Sequence, residues 1–283
     1  MKGADRRWLL GVAAVLAVAG TVQASENKAD VTDADRGYSN YVYDNATVPP
    51  GTIRAEVRAA TINDENDPKL NFIGRPTSSN LVSENGGRFD VIGSYGLGVN
   101  SEVGFDIPTL ISKQRKQNPT TLVESTTQNE DIGDMTLYLK FRRPVAEHCT
   151  AGAGVELSLP TGIERKAFGT GELGANPFVA TRYQKGRFGA GIHVGYMVYT
   201  GNVDNTLNYG AEIFLRGTEQ YVLRAELNGQ HFSANGQSYD NVIATPGIDL
   251  NFFPNFTIRP MGIAGLSTDA LNWGVGVGLA YAF

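Results

Sequence analysis

The sequence predicts an all-β fold, a transmembrane antiparallel up-and-down β-barrel of about twelve strands. Three observations carry this. Large apolar residues alternate with small or polar ones at period two through most of the chain, and helical periodicity is nearly absent. The alternating runs are about 10–13 residues long, which suits a tilted strand crossing a bilayer and exceeds the about 5–6 residues of an ordinary strand. Glycine is in excess, 34 of 283 residues, or about 12% against a usual ~7%.

Composition excludes other classes. A mean hydropathy of -0.20 with 19% charged residues does not fit a bundle of apolar membrane helices. Twelve tyrosines and 13 phenylalanines argue against a disordered chain. A net charge of -5 leaves no basic footprint, so no nucleic-acid partner is expected.

The chain opens on MKGADRRWLLGVAAVLAVAGTVQAS. Lys2, Arg6 and Arg7 form a basic start, Leu9 to Ala19 an apolar stretch too short to span a membrane, and Val22 and Ala24 sit at -3 and -1 of a cut before Ser25. Residues 1–24 therefore read as an export signal peptide, which implies a Gram-negative cell envelope and the outer membrane. Cys149 is the single cysteine, so no internal disulfide is expected. Residues 25–50 are polar, with Tyr38, Tyr41 and Tyr43; they lie either in the periplasm or within the barrel, partial insertion being favoured. The barrel itself is assigned to 51–283.

The expected strands are 51–60, 88–97, 99–108, 132–143, 150–160, 173–184, 187–199, 206–216, 219–229, 241–252, 255–265 and 271–283. Their connections alternate between long and short. Segments 61–87, 109–131, ERKAFGTG, GNVDN and HFSANGQSYD fall on one side, tight turns on the other. That is the signature of a meander with extracellular loops and periplasmic turns. Pro177, Pro246 and Pro260 fall inside strands; since proline cannot donate to the ladder, bulges are expected there.

The last strand fixes the facing. Leu271, Trp273, Val275, Val277, Leu279, Tyr281 and Phe283 alternate with Asn272, three glycines and two alanines, so the large apolar side faces lipid. Extended to the other strands, this register places Phe141, Tyr183, Phe188, Tyr221, Phe252, Phe256 and Phe283 near the short-turn end. Tyr196, Tyr209 and Trp273 fall near the other, as two aromatic girdles. The opposite register collects the charges. Arg54, Arg58, Lys140, Arg142, Arg182, Arg216, Arg224 and Arg259 stand against Glu56, Asp90, Glu102, Asp106, Glu156, Glu212, Glu226 and Asp249, with His193 on the same face. A cation at mid-depth on the lipid face costs about 2–4 kcal/mol, so these residues are expected to line the lumen. Equal numbers of both signs predict pairing across the interior and weak ion selectivity. Inward glycines at 152, 154, 189, 191, 195, 274, 276 and 278 are expected to leave lumen space. Phe283 is expected to be the signal that barrel-assembly machinery reads, and lipid and lipopolysaccharide to surround the wall.

Few motifs point to chemistry. Gly169, Gly171 and Gly174 spell G-x-G-x-x-G, but in a loop that enters a strand, not in a βαβ unit. His231-Phe232-Ser233 resembles the H-x-S pair of outer-membrane phospholipase, though neither Asn235 nor Asn241 has that family's spacing, and turn chemistry accounts for Ser233. His193 and His148 lack metal-ligand partners, and the NDENDP cluster (Asp64, Glu65, Asp67) lacks the pattern of a calcium loop. No metal, cofactor or catalytic residue is assigned, and the chain reads as a non-enzyme.

GDMTLYLKFR (133–142), ELSLPTG (156–162), GTGELGANPFVATRYQKG (169–186) and GAGIHVGYMVYTGN (189–202) resemble blocks of the MetA-pathway of phenol degradation family. The likeness covers about 130–283, with L-P-T-G followed by G-T-G as its most specific part. It implies an outer-membrane barrel for uptake of hydrophobic or aromatic compounds and brings no catalytic residues. The expected function is a channel for passive passage of small molecules. The alternatives are a lipid-acting hydrolase of the same architecture and a structural barrel without conductance.

Overall fold

A computed structural model of the chain describes residues 47–64, 81–98, 100–118, 120–163, 168–201, 203–218, 220–234, 236–253 and 255–283. Thirteen strands are present: β1 (Ile53–Asp64), β2 (Leu81–Gly98), β3 (Ser101–Gln117), β4 (Glu124–Ile132), β5 (Met135–Ala146), β6 (Cys149–Leu159), β7 (Gly174–Lys185), β8 (Phe188–Tyr199), β9 (Thr206–Arg216), β10 (Tyr221–Ala234), β11 (Gln237–Phe253), β12 (Phe256–Gly265) and β13 (Trp273–Ala282). No helix occurs among the described residues.

Every strand except β4 pairs antiparallel with two neighbours in one ring, and β13 returns to β1 from Arg54↔Ala282 to Asn63↔Trp273. The result is a closed twelve-stranded barrel. Closure leaves no free edge in the wall and satisfies the backbone inside a bilayer. Tight connections at the short-turn end include Lys185–Phe188, where Gly186 takes a φ of +58° that an L side chain resists.

Three features depart from the sequence reading. Segment 109–131 is mostly not loop. β3 pairs with β5 through Ser101–Asp106, then continues beyond the wall and pairs with β4 from Thr109↔Ile132 to Gln117↔Glu124. β2 follows it outward, so β2, β3 and β4 form a projecting three-stranded sheet of polar composition that lipid-facing alternation does not reveal. Likewise HFSANGQSYD is a hairpin, with β10 and β11 running on to Ala234↔Gln237 around Gly236 at φ +77°. The prolines make no bulge. Pro177 pairs with Val155, Pro246 with Ala225 and Pro260 with Val277 in unbroken register. What they remove is rungs on their other side, since a proline lacks only the N–H. The β11–β12 ladder has no pairing between Ala244↔Ala264 and Gly247↔Met261, and its register shift lies at Asn251/Phe253.

The outward face carries the expected apolar band. Val57, Val91, Val103, Leu137, Val179, Ile192, Ile213, Leu223, Val277 and Leu279 are exposed. Tyr183, Phe188, Phe252 and Phe283 are exposed near one end and Tyr196 and Trp273 near the other, while Phe141, Tyr209, Tyr221 and Phe256 are half-buried. The signal segment 1–24, residues 25–46, Glu65 and Asp67 lie outside the described residues.

Candidate functional site

The barrel interior is built by alternation: each β-strand turns every second side chain inward. On β1 that set includes Arg54, Glu56 and Arg58; on β12 Arg259; on β11 Asp249; on β10 Arg224 and Glu226; on β9 Glu212 and Arg216; on β7 Arg182. Arg54, Glu56, Arg182, Glu212, Arg224, Glu226, Asp249 and Arg259 are all buried.

These side chains join in an alternating belt. Glu56 accepts from Arg54, from Arg58 Nε at 2.5 Å and from Arg259 Nη1 at 3.3 Å. Arg259 Nε also donates to Asp249 Oδ1 at 2.7 Å, and Asp249 Oδ2 accepts from Arg224 Nη2 at 3.2 Å. Arg224 Nη1 donates to Glu212 Oε2 at 2.7 Å, and its Nε lies 3.9 Å from Glu226. Glu212 Oε1 stands 4.0 Å from Arg182 Nη1. The belt thus runs from β1 through β12, β11, β10 and β9 to β7. Charges removed from water in this way must be mutually compensated, and arginine's fork lets one cation serve two carboxylates.

The belt crosses β8 because β8 has glycine there. A Cβ on Gly191 would stand 2.9 Å from Glu212 Oε1 and 3.0 Å from its Cγ. Beside it the Phe214 ring lies on Gly189, and the Arg182 guanidinium sits over that ring, 4.3 Å from its centroid. Phe178 lies on Gly154 and Asn176 on Gly195. These glycines therefore do not open the lumen, as the sequence reading held. They form flat strand surface onto which a neighbour's large side chain folds.

A second cluster joins β3, β5 and the chain ahead of β1. Glu102, fully buried, accepts from Tyr138 Oη at 2.8 Å and from the Val48 backbone N–H at 2.7 Å, with Lys140 Nζ at 3.6 Å. Thr47 and Val48 are buried, and the exposed Pro50 bridges Gly96, so residues 47 and 48 tuck into the short-turn mouth. On β2, Arg88 Nε donates to Asp90 at 2.6 Å and its Nη2 reaches Asp106 at 3.5 Å. Arg142 Nε donates to Asn100 Oδ1 at 3.3 Å. Glu156 is buried on β6, and Arg216 is half-buried. The half-buried His193 ring covers Gly210 on β9, with Asn228 alongside.

One side of the interior is different. On β11, β12, β13 and β1 the inward residues toward the long-loop end are Ile243, Met261, Ile263, Gly276, Ala60 and Ile62, all half-buried. They make a weakly polar strip beside the paired charges.

At the long-loop mouth three sequence blocks meet. Asp134 Oδ1 accepts from Gly162 N at 3.0 Å, and its Oδ2 accepts from Thr170 N at 2.6 Å. Thr161 Oγ1 donates to Gly133 O at 2.9 Å and accepts from Met135 N at 2.8 Å. Phe168, buried at 3%, packs its backbone near Gly133 beside Pro108 and Leu110. L-P-T-G and G-T-G are thus the two ends of a loop that Asp134 ties down, and Gly169, Gly171 and Gly174 serve that loop. At the chain end Phe283 is exposed; its N–H donates to Ile53 O at 2.8 Å and its ring meets Tyr281 edge-on, 4.7 Å between centroids.

Residues that sequence reasoning missed are Arg88, Tyr138, Asn176, Phe178 and Phe214 on the interior, and Asp134 at the mouth. The inward aromatics were accessible, because Phe178 and Phe214 share parity with Arg182 and Arg216. His231 bonds not to Ser233 but to Asp240 and Ser238. Among the described residues no group of three or more His, Cys, Asp or Glu is placed to hold a metal ion.

Solved structures with this architecture include an outer membrane channel from Pseudomonas putida F1. It has a TM-score of 0.63 and 14% identity and covers 87% of this chain and 100% of that one. The NanC porin gives a TM-score of 0.51 at 9% identity, covering 80% and 98%. At these identities the likeness is one of fold. No curated protein matches the chain by sequence. The profile of the family described as "Putative MetA-pathway of phenol degradation" matches residues 35–283, all of the barrel and part of the stretch before it, and the chain belongs to that family.

Proposed function

We propose that the protein is a passive outer-membrane channel for small molecules, with hydrophobic and aromatic compounds among its solutes. One observation carries this reading. The charges of the belt from Arg54 to Arg182 are buried and paired with one another, while the strip of Ala60, Ile62, Ile243, Met261, Ile263 and Gly276 stays partly open on their long-loop side. An uncharged solute can enter along that strip without breaking an ion pair. The channel structure from Pseudomonas putida F1 supports it through the shared fold, and the family description supports an aromatic solute.

In this reading residues 1–24 direct export and are removed, and 51–283 form the barrel. Residues 47–50 sit at the periplasmic mouth, with Val48 held by Glu102, and the segment before them belongs either to the periplasm or to the lumen. Arg54, Glu56, Arg58, Asp90, Glu102, Asp106, Lys140, Arg142, Glu156, His193, Glu212, Arg216, Arg224, Glu226, Asp249 and Arg259 line the lumen. Their balanced charge gives little preference between small anions and cations. Passage requires no catalysis, metal or cofactor. Lipid and lipopolysaccharide contact the outward face, and Phe283 is read by the assembly machinery.

The test is reconstitution of the mature protein in liposomes, with uptake of phenol, benzoate and glucose followed by swelling. The expected result is faster entry of phenol than in empty vesicles, and a rate lowered severalfold by Ala60→Trp, which fills the strip. Entry no faster than in empty vesicles sinks the channel reading.

A further inference from the structure

We infer that Ser238, His231 and Asp240, on the outward face of the β10–β11 hairpin, form a nucleophile–base–orienter triad that hydrolyses a carboxylic ester of an amphiphile in the outer leaflet. His231 stands opposite Asp240 in the ladder, and Ser238 is two residues before Asp240 on the same face of β11. His231 Nδ1 lies 2.7 Å from Asp240 Oδ1, and Ser238 Oγ lies 3.4 Å from His231 Nε2. A carboxylate can only accept from Nδ1–H, and in the neutral ring that leaves Nε2 as the acceptor facing the hydroxyl. This is the relation a serine nucleophile needs, and hydrogen bonds of this kind commonly stand loose in a ligand-free protein.

The backbone that carries the carboxylate is held from behind. Asp240 N donates to Asp269 Oδ2 at 3.0 Å, Ser267 Oγ donates to Asp240 O at 2.5 Å, and Val242 N donates to Ser267 Oγ at 2.9 Å. The β12–β13 loop thus fixes the backbone of the orienting residue. These bonds also show that the N–H groups of Asp240 and Val242 point away from β10. Ser238 shares their parity, so its N–H also lies outside the β10–β11 ladder, available as a donor to an oxyanion.

The position names the substrate class. His231 lies two residues, about 7 Å along the strand, beyond Gly229, on which the girdle residue Tyr209 lies. An ester linkage at that height places its acyl chain down the outward face over Leu227 and Leu223, which are exposed. In the step, Ser238 Oγ bonds to the acyl carbon as its proton passes to His231 Nε2. The alcohol leaves with that proton, and water, deprotonated by the same nitrogen, releases the acid and restores Ser238.

The test uses the full mature chain in detergent micelles, with a fluorophosphonate as covalent probe and p-nitrophenyl butyrate and palmitate as substrates. The expected result is labelling at Ser238, located by peptide mass, and hydrolysis that Ser238→Ala abolishes. His231→Ala should lower hydrolysis at least about 100-fold. Asp240→Asn should lower it strongly with labelling slowed in step, and Ser233→Ala should leave it unchanged. Heat-modifiable gel mobility establishes that each variant is folded. Labelling no greater than in Ser238→Ala, or labelling and hydrolysis indifferent to His231→Ala, overturns the proposal. Phenol entry into liposomes should be the same in wild type and Ser238→Ala, so the channel reading stands or falls on its own.

Discussion

Arg259 donates to Asp249 across the β11–β12 seam, and this ion pair sits where Pro246 and Pro260 have removed backbone rungs. The wall is weakest in its ladder at the point where the interior is strongest in charge. Side chains there tie together two strands that the backbone holds less firmly. Both residues also extend the belt, Arg259 to Glu56 and Asp249 to Arg224.

Removing one partner should therefore cost more than removing both. Arg259→Met leaves two carboxylates facing each other across the gap, and Asp249→Asn leaves two guanidiniums sharing fewer acceptors. Each single change is expected to lower stability by about 3 kcal/mol, as for other broken buried pairs. The double variant should lose less than either single change. Urea unfolding in lipid vesicles, followed by tryptophan fluorescence, measures all four corners of that cycle.

Gly191 makes a sharper prediction about the glycine-rich strand. Glu212 reaches toward Arg182 over its bare Cα. Gly191→Val should displace that carboxylate and cost about 1–3 kcal/mol from overpacking, while Gly262→Ala, whose Cβ would stand 3.6 Å from Pro246 Cγ, should cost less. The same vesicle unfolding ranks the two, and equal losses would contradict the role assigned to β8.

The barrel was legible because lipid imposes a rule that soluble folds lack. Large residues at 273, 275, 277, 279 and 281 must face out, so one strand fixes the parity of the rest. The same rule places Arg224 and Asp249 inside without any knowledge of contacts. It is silent wherever lipid ends, so β4 and the outer half of β3, polar on both faces, read as loop. It is also silent about which inward glycines are covered, because Phe214 on Gly189 and Glu212 on Gly191 are cross-strand relations fixed by register. The triad was half-visible: His231 stood out, but its partners lie across the hairpin, and pairing Asp240 with His231 requires the turn to be known.

Asp134 ties the loop between β6 and β7 through two backbone donors. Asp134→Ala removes both acceptors at a point outside the membrane wall, where the loss is about 1–3 kcal/mol, local to the loop. Proteinase K added to intact vesicles should then cut within 160–173 faster than in wild type. Resistance to unfolding of the barrel should change little. A drop in global stability with no gain in cleavage would mean that the knot supports the wall itself.

Phe283 contributes two separable things. Its N–H closes the β1–β13 seam at Ile53 O, and its exposed ring packs on Tyr281. Phe283→Ala keeps the backbone bond and loses the ring, whereas deletion of the residue loses both. If the ring is a recognition feature, Phe283→Ala should cut outer-membrane insertion in cells severalfold yet refold in detergent like wild type, since an exposed ring adds little to barrel stability. Deletion should add a refolding defect of about 1 kcal/mol, one ladder bond. Heat-modifiable mobility, measured on cell envelopes and on refolded protein in parallel, separates the two effects. Insertion of Phe283→Ala at the wild-type level would assign Phe283 to seam closure alone.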